Sequence, residues 1–203
     1  MIVIKEGLEA IFWDFDGVLM DSNPVRNNGF AAVLADYPAD EVAQLLEFHG
    51  ANGGLSRYVK FRYFFEEVRK EKISEAEVLV WAEKFSVIMK QNLLDSSLLI
   101  EETLGWIKEN YLQYSMHIVS GSDQQELRFL CGHHGISQYF KDIQGSPTPK
   151  KQLVAGLLEK YSYPPANCVL VGDATNDYDA AAANGLMFLP YNNPSIRSLN
   201  TYL

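Results

Sequence analysis

The stretch IFWDFDGVLMDSNP, Ile11 to Pro24, decides how the rest of the chain is read. Ile11, Phe12 and Trp13, with Phe15, form an apolar run that predicts a buried strand carrying acids at its carboxyl end. Side chains two apart on a strand point the same way, so Asp14 and Asp16 start on one face. Gly17 lets the chain bend at once, gathering backbone groups and the second carboxylate around one small site. Two carboxylates this close repel unless a cation or a shared proton intervenes. A hard, oxygen-seeking cation such as Mg²⁺ is the economical answer. A bare Asp-x-Asp is more often a strand end and an acidic turn; the partners found further along the chain change that balance.

Outward from this stretch, helical and strand patterns separate cleanly. Segments 24–36, 39–49, 56–71 and 74–89 read as successive helices, with breaks at Tyr37-Pro38, His49 to Gly54 and Lys72 to Ser74. Ser74 and Glu77 have the spacing of a capping box. This predicts a helical insertion over residues 22–91, placed between a first part, 1–21, and the remainder, 92–203. Met1 to Ile4 reads as a short strand-like start. Asp95 to Asn110 reads as one amphipathic helix, Ser115 to Ser120 as a strand and Asp123 to Cys131 as a helix. A short extended segment near Ile143, a helix from Thr148 to Tyr161, a strand over Asn167 to Val171, a helix from Asp177 and a last strand at Leu186 to Leu189 complete the pattern. Strands alternating with helices predict an α/β fold, a Rossmann-like three-layer core with a largely parallel sheet and an inserted helical cap.

The 203 residues are 47% hydrophobic, which suits one substantial core plus an insertion. With 17 basic and 26 acidic residues the formal charge is −9, which argues against a nucleic-acid partner. Small anionic substrates remain compatible, because lysines, backbone N–H groups and a bound metal set the local field. There is no charged-then-apolar leader and no apolar run of about 18 residues, so the expectation is a cytoplasmic protein without a membrane span. Cys131 and Cys168 have no CxxC partner and read as buried free thiols. His49, His117, His133 and His134 lack zinc-site spacing.

Three further signals fall at strand ends or at the helix starts that follow, where open α/β sheets place ligands. Ser120-Gly121 offers a hydroxyl and consecutive N–H groups as an anion cradle, though serine before a helix is also an ordinary cap. In SPTPKK, residues 146–151, Thr148 is the expected cap, Pro149 the first helical residue, and Lys150 and Lys151 follow. Cations are disfavoured at a helix start, so one of them facing a phosphate would account for their position. In VGDATND, residues 171–177, a strand delivers Asp173 as a second ligand for the same cation. Asp177 would support the ion from the next turn, or simply cap that helix. Together these residues compose a phosphoryl-transfer site. Asp14 would attack phosphorus, Asp16 would protonate the leaving oxygen and then activate water, and Lys150 with Ser120 would stabilise the equatorial oxygens.

These motifs resemble the haloacid dehalogenase superfamily in its phosphatase and phosphomutase branch. DFDGVLMDS is similar to its first motif, VSGS to the second, SPTPK to the third and GDATNDYDAA to the fourth. The resemblance implies Asp14 as nucleophile and Asp16 as acid/base. It further implies Mg²⁺ held by Asp14, Asp173 and the backbone carbonyl of Asp16, with Asp177 in support. Ser120, Gly121 and Lys150, with Lys151 as the fallback, would bind the phosphoryl group. It explains the insertion after the first strand as a helical cap. The family's dehalogenases lack the second aspartate of the first motif, so Asp16 favours phosphate chemistry.

Within the insertion, HGANGGLSRYVKFRY, residues 49–63, pairs a glycine-rich loop with Arg57, Lys60 and Arg62. Arg57 near a helix start is suited to meet an anion; Lys60 is a weaker candidate and Arg62 reads as a surface residue. The string Gly54 to Arg57 resembles the cap loop of β-phosphoglucomutase-type enzymes. However, Arg26 stands where those mutases carry a histidine, and it is itself a candidate substrate contact. The expected partner is therefore a small phosphorylated metabolite, such as a sugar phosphate or a phosphoglycolate-like acid. A phosphosugar mutase, or an inactive binding protein on the same scaffold, are the alternatives. The sequence leaves the oligomeric state open.

Overall fold

The computed structural model describes residues 5–202, so the strand-like start expected at Met1 to Ile4 lies outside the described residues. Strands β1 (Ala10–Trp13), β2 (Ser115–Asp123), β3 (Asp142–Ser146), β4 (Cys168–Gly172) and β5 (Met187–Pro190) form one parallel sheet in the order β3-β2-β1-β4-β5. The four residues of β1 are all buried, as expected of a central strand covered on both faces. Ile11 and Trp13 face one apolar layer with Met116 and Ile118, while Ala10 and Phe12 face another with Leu170 and Phe188. That alternation is the two-residue period of a strand. Helices α5 (Glu101–Asn110) and α6 (Gln124–His133) contribute to the first layer, and α7 (Lys150–Tyr161) and α8 (Thr175–Asn184) to the second. The chain is thus an α/β protein with a Rossmann-like, three-layer arrangement.

Between β1 and α5 lie four helices: α1 (Asn23–Val33), α2 (Ala39–Ala51), α3 (Arg57–Tyr63) and α4 (Glu75–Asn92). They pack on one another around aromatic rings, with Phe30 4.2 Å from Phe85 and 5.4 Å from Phe61 between centroids. Ser74 and Glu77 form the expected capping box at the start of α4.

Several element boundaries differ from the sequence reading, each for a local reason. The helix expected over 56–71 ends at Tyr63 and continues as a wider π-type turn, Phe64–Val68, closed by Arg69 N–H on Phe64 O. This turn lets the consecutive Phe64 and Phe65 both be buried. The single helix expected over 95–110 is a 3₁₀ turn, Ser96–Leu98, and then α5. Backbone pairing with the outgoing chain interrupts it: Asp21 N–H donates to Leu98 O and Ile100 N–H to Leu19 O. β2 runs three residues further than expected, so Ser120 and Gly121 lie in the strand and Asp123 is the cap of α6. Helix α7 starts at Lys150 with Pro149 as its N-cap, so Thr148 does not cap it and Lys150 is the first helical residue.

His117, fully buried in β2, stacks on Phe12 and shares a 3.1 Å hydrogen bond with the Tyr163 hydroxyl. Burial lowers its pKa from 6.5 to about 4. The unfolded chain therefore takes up a proton below pH 6.5 that the folded one refuses, and stability falls between pH 6.5 and 4 by roughly 3 kcal/mol from this group. Urea midpoints across that range should fall more steeply in the wild type than in His117→Gln; parallel curves would remove His117 from the account.

Candidate active site

The site forms where β1 and β4 end side by side. Trp13 is in register with Val171, and the ladder continues through a 2.9 Å bond from Asp14 N–H to Val171 O. This register sets Asp14 beside the turn that carries Asp173. Gly17, at φ +74°, lies against the Asp173 carboxylate in space that a Cβ would fill. Asp177 comes from the first turn of α8. One carboxylate oxygen from each of Asp14, Asp173 and Asp177 lies within 4.8 Å of the others.

Lys150 sits among them, 4% exposed, with its Nζ 2.9 Å from Asp14 Oδ1 and bonded to Asp177 Oδ1. Lys151 is exposed. Asp14 Oδ1 also accepts the Phe15 N–H at 2.8 Å, so Oδ2 takes part in neither contact. Both oxygens of Asp177 are engaged, Oδ1 by Lys150 and Oδ2 by the Ala174 N–H at 3.0 Å. Asp177 is therefore at once a helix cap and a prop for the lysine. Asp173 accepts from Asn23 Nδ2 at 3.2 Å.

One ammonium against three carboxylates leaves two negative charges without a partner. Burial, then repulsion from Asp177, raises Asp14 well above the usual carboxylate range. The same causes raise Asp173 to about 7. A divalent cation would relieve both effects, and the all-oxygen donor set suits a hard ion. Lys150 is held charged because Asp14 and Asp177 outweigh the effect of its burial.

Asp16, although two residues from Asp14, does not join this cluster. Its Oδ1 accepts Arg26 Nε at 2.6 Å and the Ser22 hydroxyl, and its Oδ2 accepts the Ser122 hydroxyl at 2.5 Å. Burial alone would raise its pKa, but Arg26 and the two serines bring it below the ordinary value. Ser120 is fully buried and accepts the Ser122 N–H at 3.1 Å; Gly121 and Ser122 line the cavity.

The cavity, about 670 Å³, is lined on the side of the inserted helices by α1, α2, α3, Phe85 of α4 and the loop before α3. Arg26, Arg57 and Lys60 all line it and are all buried. Arg57 meets an anion, but one that belongs to the protein. Its NH1 and NH2 bond to Glu126 at 2.6 and 2.8 Å, and NH1 also bonds to Ser86 at 2.7 Å. Glu126 accepts Arg26 NH1 as well, at 3.0 Å, and is fully buried. Two further contacts hold the same face down: Gly54 O accepts Asn176 Nδ2 at 3.0 Å, and the Tyr58 hydroxyl donates to Asp123 Oδ2 at 2.7 Å.

Sequence reasoning missed Glu126, Ser22 and Ser122. Ser22 and Ser122 are the last residues of DFDGVLMDS and VSGS and could have been proposed from those motifs. Glu126 carried no local signal, since an acid in the first turn of a helix is ordinary dipole complementation.

The fold and site define a class: an α/β enzyme with an acid cluster at the carboxyl edge of its sheet and a helical insertion over it. The family profile of haloacid dehalogenase-like hydrolases matches residues 8–185. The chain belongs to this family and is an enzyme of the phosphatase type. The phosphoglycolate phosphatase of Haemophilus influenzae is 24% identical over 186 residues, covering 87% of this chain and 82% of that protein. The crystal structure of a predicted phosphoglycolate phosphatase from Haemophilus somnus superposes with a TM-score of 0.75 at 19% identity, covering 97% of this chain and 93% of the other. β-Phosphoglucomutase from Clostridium difficile has the same fold, with a TM-score of 0.72 at 19% identity over 90% of this chain and 84% of its own. No helix among the described residues is long and apolar enough to cross a membrane.

Two substitutions test this geometry. A Cβ on Gly121 would overlap the Gly54 carbonyl oxygen, so Gly121→Ala should displace the loop before α3 and lower activity at least about tenfold with the thermal midpoint nearly kept. A midpoint loss with unchanged activity would contradict this. Glu126→Leu should cost roughly 3–5 kcal/mol, because it leaves the buried Arg57 guanidinium without a carboxylate and Arg26 with Asp16 alone. A denaturation midpoint equal to the wild type would contradict the clamp.

Proposed function

We propose that the chain is a Mg²⁺-dependent phosphomonoesterase acting on a small metabolite, a sugar phosphate or a phosphoglycolate-like acid. The observation that carries this reading is the placement of Asp14. Its Oδ2 is uncommitted, Lys150 is fixed on Oδ1, and Asp173 lies within reach of a shared ion. Asp14, Asp173 and the Asp16 carbonyl would hold the metal, with Asp177 supporting from behind. The ion would supply positive charge that lets a carboxylate approach a phosphate dianion.

In this reading Asp14 Oδ2 attacks phosphorus, forming an aspartyl phosphate while the ester oxygen leaves with a proton from Asp16. Asp16 then takes a proton from water, which attacks the phosphorus, and phosphate departs with Asp14 restored. Lys150, Ser120 and the Gly121 N–H stabilise the equatorial oxygens. Arg26 holds Asp16 ionised, which suits the second step. In the first step Asp16 gives a proton, so the Arg26 contact must loosen as substrate binds. Residues 22–91 act as a cap over a core made of 1–21 and 92–203, shielding the phospho-enzyme from bulk solvent. The two buried free cysteines fit a reducing cytoplasm.

Phosphate release should be measured across sugar phosphates, phosphoglycolate and nucleotides, with Mg²⁺ or EDTA. The expected result is turnover of a small ester, abolished by EDTA and reduced by about a thousandfold or more in Asp14→Asn. Turnover indifferent to both treatments would overturn the reading. Isomerisation of β-glucose 1-phosphate without phosphate release would replace it with the mutase alternative.

A further inference from the structure

Asp173 stands just past the point where the sheet supports the chain. The pairing of β4 with β5 ends at Gly172 and Pro190, so Asp173 lies one residue beyond the register that fixes its neighbours. One of its carboxylate oxygens is within 4.8 Å of oxygens from Asp14 and Asp177, and like charges this close push it outward. The loop after β5 takes over here. Tyr191 N–H donates to Gly172 O at 2.8 Å, Asn192 Nδ2 to Gly17 O at 3.4 Å and Asn193 Nδ2 to Asp173 O at 2.7 Å. Asn192 has φ +52°, a left-handed conformation that asparagine tolerates better than most side chains, and two consecutive amides thereby reach the two acid-bearing turns. Asn193 Oδ1 accepts the Ser195 N–H at 3.1 Å and the Ser195 hydroxyl at 2.6 Å, capping the 3₁₀ turn Pro194–Leu199. Ile196 of that turn is buried in the second apolar layer, which anchors the loop to the sheet domain. The Asn193 amide therefore has a fixed orientation, its donor toward Asp173 and its acceptor toward the turn.

We propose that Asn193 is a positioning residue for the metal site: its Nδ2 holds the Asp173 backbone, and so keeps the Asp173 carboxylate beside Asp14 against their mutual repulsion. This rests on the Mg²⁺-dependent reading of the same acids. Asn23 holds the carboxylate itself through Oδ2, so Asp173 is restrained at both backbone and side chain. Both restraining groups are neutral carboxamides. A lysine in their place would compete with the cation, and another carboxylate would add to the repulsion; an amide restrains Asp173 without changing the charge of the site. With the ligand already in place, the ion does not have to order the loop as it binds. The consequence falls on Mg²⁺ affinity rather than on the chemical step.

The test reads Mg²⁺ binding by calorimetry in the wild type, Asn193→Ala and Asn193→Ser. Serine still caps the turn but is too short to reach the Asp173 carbonyl. Both variants should bind Mg²⁺ about three- to tenfold more weakly, the range expected for one lost hydrogen bond. In phosphate release the Mg²⁺ concentration giving half the maximal rate should rise by the same factor, while kcat at saturating Mg²⁺ and KM for the ester stay within about twofold of the wild type. Thermal midpoints across a Mg²⁺ series give the affinity independently, because bound ion stabilises by mass action whatever the basal midpoint. Wild-type affinity in Asn193→Ser, a kcat loss that saturating Mg²⁺ does not recover, or a wild type that binds no Mg²⁺ would overturn the proposal. Weakened Mg²⁺ binding in the variants of a chain that releases no phosphate would support the role of Asn193 and refute the phosphatase reading; Mg²⁺-dependent release with unaltered Mg²⁺ binding in the variants would do the reverse.

Discussion

Crowded negative charge at the junction of β1 and β4 is the constraint around which this structure is arranged. Three carboxylates lie within 4.8 Å of one another in a buried setting, with one lysine among them. The parallel register brings Asp14 against the end of β4, and α8 supplies Asp177 from its first turn. Lys150 at the start of α7 offsets one charge, against the preference of a helix start for anions. That local cost is sensible only because the aspartates lie directly opposite. The remaining imbalance is what a divalent ion would relieve.

The second organising feature is Glu126, which reverses the charge pattern on the other side of the cavity. It draws Arg57 from α3 and Arg26 from α1 onto α6, tying the inserted helices to the sheet domain through buried charge-assisted bonds. Buried ion pairs add little net stability when their desolvation is counted, so the value of this one lies in positioning. It sets the height of the α1–α4 layer above the acids, and through Arg26 it fixes the orientation of Asp16. Asp16 and the upper wall are therefore coupled by one hydrogen-bonded chain.

Much of the core was legible because it rests on local rules. The apolar run before Asp14, the alternation of strands and helices, and the glycine- and proline-marked breaks each follow from side-chain burial and backbone sterics. Boundaries were less legible where distant backbone took part. The break at Leu99-Ile100 arises from bonds to Leu19 and Asp21, and the length of β2 from pairing with β3.

The sequence by itself determined the chemistry on offer: the two acids of the first motif, the lysine pair, Asp173 and Asp177, each at a strand end or a helix start. These are short-range patterns, and a strand or helix presents them in one way only. The tertiary structure decided which groups meet. The packing of α7 against the sheet put Lys150 inside, on Asp14 and Asp177, and Lys151 in solvent. Contacts across 69 and 100 residues of chain gave Arg57 and Arg26 to Glu126. Such pairings depend on the packing of separate elements, and no local pattern encodes them.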